Sequence, residues 1–151
     1  MLQNGPAWFL LADGRRARVL IEERRGATLQ APDEWDMQIS EDDLYDPQDR
    51  RPRSSNRVGM AKHSVGNDRS LHEAEEEKFL KRLAGRLGEA EKGRQFEHLV
   101  IAAPPRALGA LREFLPASVQ SRIRAETPKD LIDQNEPNLR ERLRELLRQA
   151  N

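Results

Sequence analysis

One short apolar segment limits the folds that are open to this chain. Residues 99–103 form an uninterrupted apolar run in a sequence whose residues are 34% charged. The run is too short to cross a membrane, and its length is typical of a strand that is buried on both faces. Pro104 and Pro105 end the strand because neither has an N–H group to donate to a neighbouring strand. Leucines follow at helical spacing over residues 108–115, so the segment predicts a strand, a turn and a helix, which is half of a βαβ unit.

The N-terminal residues predict a β-hairpin. Residues 7–12 are six consecutive apolar residues, which predicts a central strand. Asp13 and Gly14 form a turn dipeptide, and residues 17–22 place alternate apolar side chains on one face of a second strand. Gly26 interrupts this pattern, and residues 27–30 predict a third, shorter strand.

Two segments of opposite charge follow the hairpin. Residues 32–49 contain eight Asp or Glu and no Lys or Arg. Residues 50–69 contain six Lys or Arg and a single acid, Asp68. Because this composition provides little apolar surface to bury, we expect a disordered loop at about residues 46–70. Either the charges of the two segments neutralise one another within the chain, or the basic segment binds a polyanion.

The second half of the chain alternates between helices and strands. Ser70, with Glu73 three residues later, is a capping-box pattern that predicts a helix from Ser70 to about Glu91. Residues 122–127 alternate and predict another strand, and Pro137 predicts the start of the last helix. The order predicts a single α/β domain over residues 1–151, in which an N-terminal β-hairpin and β-α units form a mixed sheet flanked by helices.

The composition excludes several kinds of protein. The chain has no cysteine, which excludes disulfides, thiolate zinc sites and a cysteine nucleophile. Its 26 Lys and Arg balance its 26 Asp and Glu, so any polyanion must bind a local patch rather than the whole chain. The first residues carry no basic group, and the apolar run after them stops at Asp13, so we expect neither a signal peptide nor a membrane-spanning helix. We therefore expect a cytoplasmic protein with no membrane partner.

The histidines and carboxylates show no spacing that is specific for catalysis. His63, His72 and His98 lack the spacing of metal ligands, and we expect neither a metal nor another cofactor. Asp13 follows a strand and precedes a glycine, where a carboxylate usually accepts hydrogen bonds from the turn. The functional alternative is a metal-dependent hydrolase or nuclease in which Asp13 and Asp130 converge.

Positive residues provide the other candidate sites. Arg106 lies at the start of the helix after the two prolines, where free N–H groups and a positive charge favour the binding of an anion. The alternative interpretation is a rigid turn whose arginine is solvated. The basic loop has no aromatic residue, so it offers positive charge but no surface on which bases could stack. The alternative interpretation of this loop is a solvated segment that binds no ligand. The candidate RNA- or anion-binding residues are Arg50, Arg51, Arg53, Arg57, Lys62, His63, Arg69 and Arg106. A second, polar candidate site consists of Asp13, Lys129 and Asp130.

Several segments in combination resemble the bacterial host-attachment protein family. They are residues 12–18 after an apolar strand, residues 77–79 in the predicted long helix, residues 99–105, and Lys129-Asp130-Leu131. The resemblance extends from Trp8 to Leu147. It implies a role in the attachment of bacteria to host cells.

The same order of elements is similar, more distantly, to the middle domain of archaeal and eukaryotic peptide-chain release factors. In release factors the loop before the long helix carries Gly-Gly-Gln, which helps water to attack the peptidyl-tRNA ester. This sequence has no Gly-Gly pair, so the resemblance does not imply hydrolysis. We expect a non-enzymatic host-attachment protein that binds RNA or the ribosome as an adaptor. The alternatives are a protein-binding factor that affects attachment and the hydrolase with Asp13 and Asp130.

Overall fold

A computed structural model describes residues 5–40, 43, 64–134 and 136–149. Within these residues a mixed sheet has the strand order β3-β2-β1-β4-β5. β1 lies at its centre, antiparallel to β2 and parallel to β4, and β4 is parallel to β5. The strands are β1 (Ala7–Ala12), β2 (Arg16–Glu22), β3 (Met37–Gln38), β4 (His98–Ala102) and β5 (Ile123–Thr127). The predicted α/β class and the N-terminal hairpin are confirmed.

Four α-helices of the described residues pack on this sheet. They are α1 (Ser64–Lys92), α2 (Pro105–Phe114), α3 (Ala117–Gln120) and α4 (Glu136–Gln149). None of the helices in the described part of the chain is long and apolar enough to cross a membrane.

The hairpin turn depends on its glycine. Ala7 pairs with Glu22 at one end of the hairpin and Ala12 with Ala17 at the other. Gly14 has a φ of 102°, a backbone conformation that residues with a Cβ atom rarely adopt. The sequence Asp-Gly therefore closes the hairpin where the pattern predicted it.

The predicted third strand at residues 27–30 was wrong. Those residues contribute only one isolated bridge, between Ile21 and Gln30, and the strand beside β2 is β3, which pairs with Arg16 and Ala17. Gly26 turns the chain with a φ of 86°, and the carbonyl of Ala27 accepts a hydrogen bond from the Arg144 side chain of α4. Because that carbonyl is bonded to a side chain, the segment packs as a loop against α4.

The predicted start of the long helix at Ser70 was also wrong, because α1 begins at Ser64. Ser70 lies inside the helix and does not cap it. The Ser-x-x-Glu pattern is local and occurs inside helices as well as at their ends, so it does not by itself determine where a helix starts. Residues 64–70 of the predicted loop belong to α1, and the rest of that loop, residues 46–63, lies outside the described residues.

Each face of the sheet has its own core. The larger core lies under α1, α2 and α3 and contains Leu99 and Ile101 of β4. The smaller core lies under α4 and contains Val100 and Ala102 of the same strand. β4 is therefore buried on both faces, as its uninterrupted apolar sequence predicted.

The outer strand β5 contains a β-bulge. Leu99 pairs with Ile123, but the next residue of β4, Val100, pairs with Ala125. Arg124 is therefore the extra residue, and its side chain turns back to the amino end of β4. There Nε of Arg124 donates a hydrogen bond to Nδ1 of buried His98 at 3.0 Å.

Candidate functional site

Asp13 stabilises the hairpin turn. Its Oδ1 accepts hydrogen bonds from the backbone N–H groups of Arg15 and Arg16, at 2.9 and 2.8 Å. This is the local turn chemistry expected of an aspartate before a glycine. Asp130 has a similar role, because its Oδ1 accepts from the N–H of Ile132 at 3.1 Å in the loop after β5.

Among the residues that the structure describes, the two aspartates are not part of a metal-binding cluster. Across residues 5–40, 43, 64–134 and 136–149, no three His, Asp or Glu side chains are grouped so that they would hold a metal ion. Asp133, three residues after Asp130, binds Arg16 at 2.9 Å, and this ion pair connects the loop to the hairpin. This contact raises the pKa of Arg16, first through the hydrogen bond and then through the charge of Asp133.

A groove of about 530 Å³ lies at the carboxyl ends of β1 and β4. The turn after β1 contributes Asp13, the turn after β4 contributes Pro104 and Pro105, and α1 and α2 form the walls. Parallel strands bring such turns together at one edge of a sheet, which is where α/β folds commonly bind ligands. The carboxylates that line the groove are Asp13, Glu73, Glu76, Glu77 and Glu113.

Arg106 is neutralised in this groove. Its Nη2 lies 2.5 Å from Oε2 of Glu73 on α1, although 72% of its side chain is exposed. Arg15, at the rim, lies 3.8 Å from Glu76. The charge of the residues that line the groove therefore favours a cation over an anion, and the anion site at the Arg106 turn stays a prediction.

A family model described as "Protein required for attachment to host cells" matches residues 8–143. The chain belongs to this family. The match begins in β1 and ends in α4, so it extends across the sheet and its helices. A search of curated proteins gave no match. The predicted family is thus confirmed, while the likeness to release factors stays a prediction.

Lys129 lies at a different groove of this attachment-family protein. That groove, of about 420 Å³, is formed by the end of β5, the loop after it and residues of α4. Lys129 lines it together with Thr127, Asn138 and Arg142, and two glutamates of α4 balance the positive charges. The structure therefore does not bring Lys129 into the groove that Asp13 lines.

The basic residues of the predicted loop fall mainly outside the described residues. This applies to Arg50, Arg51, Arg53, Arg57, Lys62 and His63. Arg69 lies in α1, in the second turn after Ser64. The predicted polyanion contacts of these residues stay predictions.

An ion pair between Asp43 and Arg82 was not predicted. Asp43 is buried, and both of its oxygens accept hydrogen bonds from the Arg82 guanidinium, at 3.0 and 2.7 Å. Burial alone would raise the pKa of Asp43, but the hydrogen bonds from Arg82 and Ser40 and the charge of Arg82 outweigh it and lower this pKa. The partners are 39 residues apart in sequence, and no local spacing indicates the pair.

Proposed function

We propose that this attachment-family protein is a non-catalytic adaptor that binds RNA, including RNA exposed on the ribosome, through residues 50–69, here called the basic segment. The observation that carries the proposal is the charge of this segment, which has six Lys or Arg and one acid in a chain of zero net charge. Phosphate contacts by Lys and Arg supply most of the affinity of non-specific nucleic-acid binding.

The geometry of the described residues supports the basic segment rather than the sheet edge as the RNA-binding surface. The groove at the carboxyl ends of β1 and β4 is lined by carboxylates, which repel phosphate. Arg106 is left out of the proposed surface because Glu73 pairs with it there. Many arginines elsewhere are also paired with acids, including Arg16, Arg112 and Arg148.

The salt dependence of binding tests the proposal. Titration of a fluorescent single-stranded RNA at 50 to 200 mM salt should give a slope of log K against log salt of about −4, which corresponds to six phosphate contacts. Replacing Arg50, Arg51 and Arg53 by Gln should reduce the magnitude of this slope by about 2. A slope near zero for the wild-type protein would overturn the proposal.

A matched control separates local from general charge effects. Replacing Arg16, Arg112 and Arg148 by Gln removes the same number of charges from surface ion pairs. We expect this control to leave the slope unchanged. If it reduces the slope as much as the first variant does, RNA binds the whole surface rather than the basic segment.

A protein partner with basic side chains is the second candidate, and the carboxylate groove is the observation that favours it. Leu80, Ala107 and Ala110 give the groove an apolar floor between the carboxylates. Affinity capture from a lysate, with and without ribonuclease, distinguishes the two candidates. Capture that resists ribonuclease and is lost in the double variant Glu77→Lys, Glu113→Lys would favour the protein partner.

A further inference from the structure

We infer that the carboxylate groove binds an arginine side chain on an extended segment of a protein partner. The contact lies between α1 and α2, at Glu77, Gly109 and Glu113. The inference rests on the second candidate of the proposed function, a partner with basic side chains, and it names the chemistry and the position of that contact.

The groove follows two facing helix surfaces. The residues of α1 and α2 that line it recur at helical spacing, and they are Glu73, Glu76, Glu77 and Leu80 on α1 and Arg106, Gly109, Ala110 and Glu113 on α2. Arg106 bridges the two helices at Glu73. Eight residues further along each helix, Nζ of Lys81 lies 5.2 Å from the ring centroid of Phe114. This interval is about 12 Å of helix, which is the length of about four residues of an extended chain.

Two exposed carboxylates, one on each wall, hold the free negative charge of the groove. The ion pairs found within the described residues include neither Glu77 nor Glu113, whereas the other carboxylates contact Arg106, Arg15 or the N–H groups of the hairpin turn. No three His, Asp or Glu of the described ranges are grouped as a metal site would need. The charge of the groove therefore favours an organic cation from a partner.

Gly109 is a second observation, and it does not depend on charge. It lies inside α2 and lines the groove, and a Cβ atom added there would meet no atom of the described chain within 4 Å. A glycine inside a helix is less stable than an alanine, and packing among the described residues does not require this one. The missing side chain leaves room beside the apolar floor of Leu80, Ala107 and Ala110. The helix thus gives up stability where a ligand could approach it closely.

Arginine fits both observations. Its guanidinium has several donors in fixed directions and is weakly hydrated, so it can bind carboxylates while its aliphatic stem covers an apolar surface. The groove already contains one such contact, since Nη2 of Arg106 lies 2.5 Å from Oε2 of Glu73. An arginine of the partner repeats this contact one helical turn further along α1, at Glu77.

A titration followed by nuclear magnetic resonance tests the inference, because this method detects weak binding. The probe is the end-blocked peptide Gly-Arg-Gly-Arg-Gly, added to isotope-labelled full-length protein. We expect amide shifts at Leu80, Gly109 and Ala110. A citrulline peptide, which keeps the stem but has no charge, should bind about 10-fold more weakly, and a lysine peptide should also bind more weakly. Equal binding by either of these peptides, or shifts confined to residues outside the groove, would overturn the inference.

Two variants test the two observations separately. The double variant Glu77→Gln, Glu113→Gln removes the free charge and should weaken binding of the arginine peptide about 10-fold. Gly109→Ala keeps every charge but fills the space beside the floor, and it should weaken binding about 5-fold. Wild-type affinity in either variant would overturn the inference.

Gly85→Ala is the matched control for Gly109→Ala. Gly85 lies inside α1, a Cβ atom there would also meet nothing within 4 Å in the described chain, and it lines a different groove beside Trp35. Both substitutions should raise the melting temperature by about 1–3 °C, because each replaces a helical glycine. Only Gly109→Ala should weaken peptide binding, and an equal loss in Gly85→Ala would overturn the inference.

The lysate capture separates failure of this inference from failure of the proposed function. Suppose that capture resists ribonuclease and is lost in Glu77→Lys, Glu113→Lys, but that the arginine peptide does not bind. The arginine contact is then overturned, while the protein-partner candidate stands. Capture that never resists ribonuclease would instead overturn that candidate, and the RNA titration would still decide the first one.

Discussion

The two faces of the sheet are stabilised in different proportions by apolar burial and by charge. Of the described residues, 23 buried apolar side chains form the core under α1, α2 and α3, and 11 form the core under α4. Among these residues, each face also has a buried carboxylate that a helix arginine binds, Asp43 with Arg82 and Glu22 with Arg144. We therefore expect the stability of the smaller core to depend more on its ion pair than that of the larger core does.

The arrangement of the two ion pairs is alike. In each, the arginine also donates to a backbone carbonyl of a segment outside the helix, that of Gln38 or that of Ala27. A guanidinium has several donors in fixed directions, so it can bind a carboxylate and a carbonyl together. On each face of the sheet, an arginine of a helix thus holds an irregular segment by binding a carboxylate and a backbone carbonyl.

Truncation of matched leucines should have the largest effect. Leu83 of α1 and Leu139 of α4 are both fully buried, so Leu83→Ala and Leu139→Ala should each cost about 2–5 kcal/mol of unfolding free energy. Hydrogen exchange should show that Leu83→Ala lowers protection throughout the sheet, whereas Leu139→Ala lowers it mainly in α4. Uniform loss in both variants would contradict the difference between the faces.

Removal of Arg144 should have an intermediate effect. Arg144→Met leaves buried Glu22 without its cation, and because one third of the Arg144 side chain is exposed, water offsets part of the penalty. We expect a loss of about 2–3 kcal/mol in urea unfolding at pH 7. The double variant Glu22→Gln, Arg144→Met should recover part of this loss, and no recovery would show that the arginine acts through packing alone.

Acidification should give the smallest effect, at Asp43. Its lowered pKa means that the folded state binds this proton less readily than the unfolded state, whose carboxyl titrates near the usual value of 3.8. The stabilisation is complete above that pH and is lost as the pH falls through the folded-state pKa below it. The wild-type advantage over Asp43→Asn, about 1–3 kcal/mol at pH 7, should therefore shrink below pH 4. A pH-independent difference would contradict this origin.

Most of the regular structure could be predicted from the sequence because its signals are local. The run at residues 7–12, the Asp13-Gly14 turn and the proline pair after β4 each determine their element within a few residues. The misplaced third strand shows the limit, since β3 is only two residues long and the Ala27 carbonyl binds a side chain 117 residues away. A prediction from neighbouring residues cannot include both Ala27 and Arg144.

The charge of the candidate site is harder to predict from the sequence for the same reason. The location of a groove at the Pro104 turn follows from topology, and topology places Asp13 beside it. Its acidic character depends on α1, whose glutamates line the wall opposite Arg106. The charge of Arg106 is thus neutralised by Glu73, which is 33 residues away in the chain.

The bulge at Arg124 protects the sheet against unwanted strand addition. A regular outer strand is a template on which another chain can pair and aggregate, and a bulge twists that template out of register. At the opposite edge, β3 offers only two residues. In the sheet that the described residues form, neither border is therefore a long regular strand that would favour growth by strand pairing.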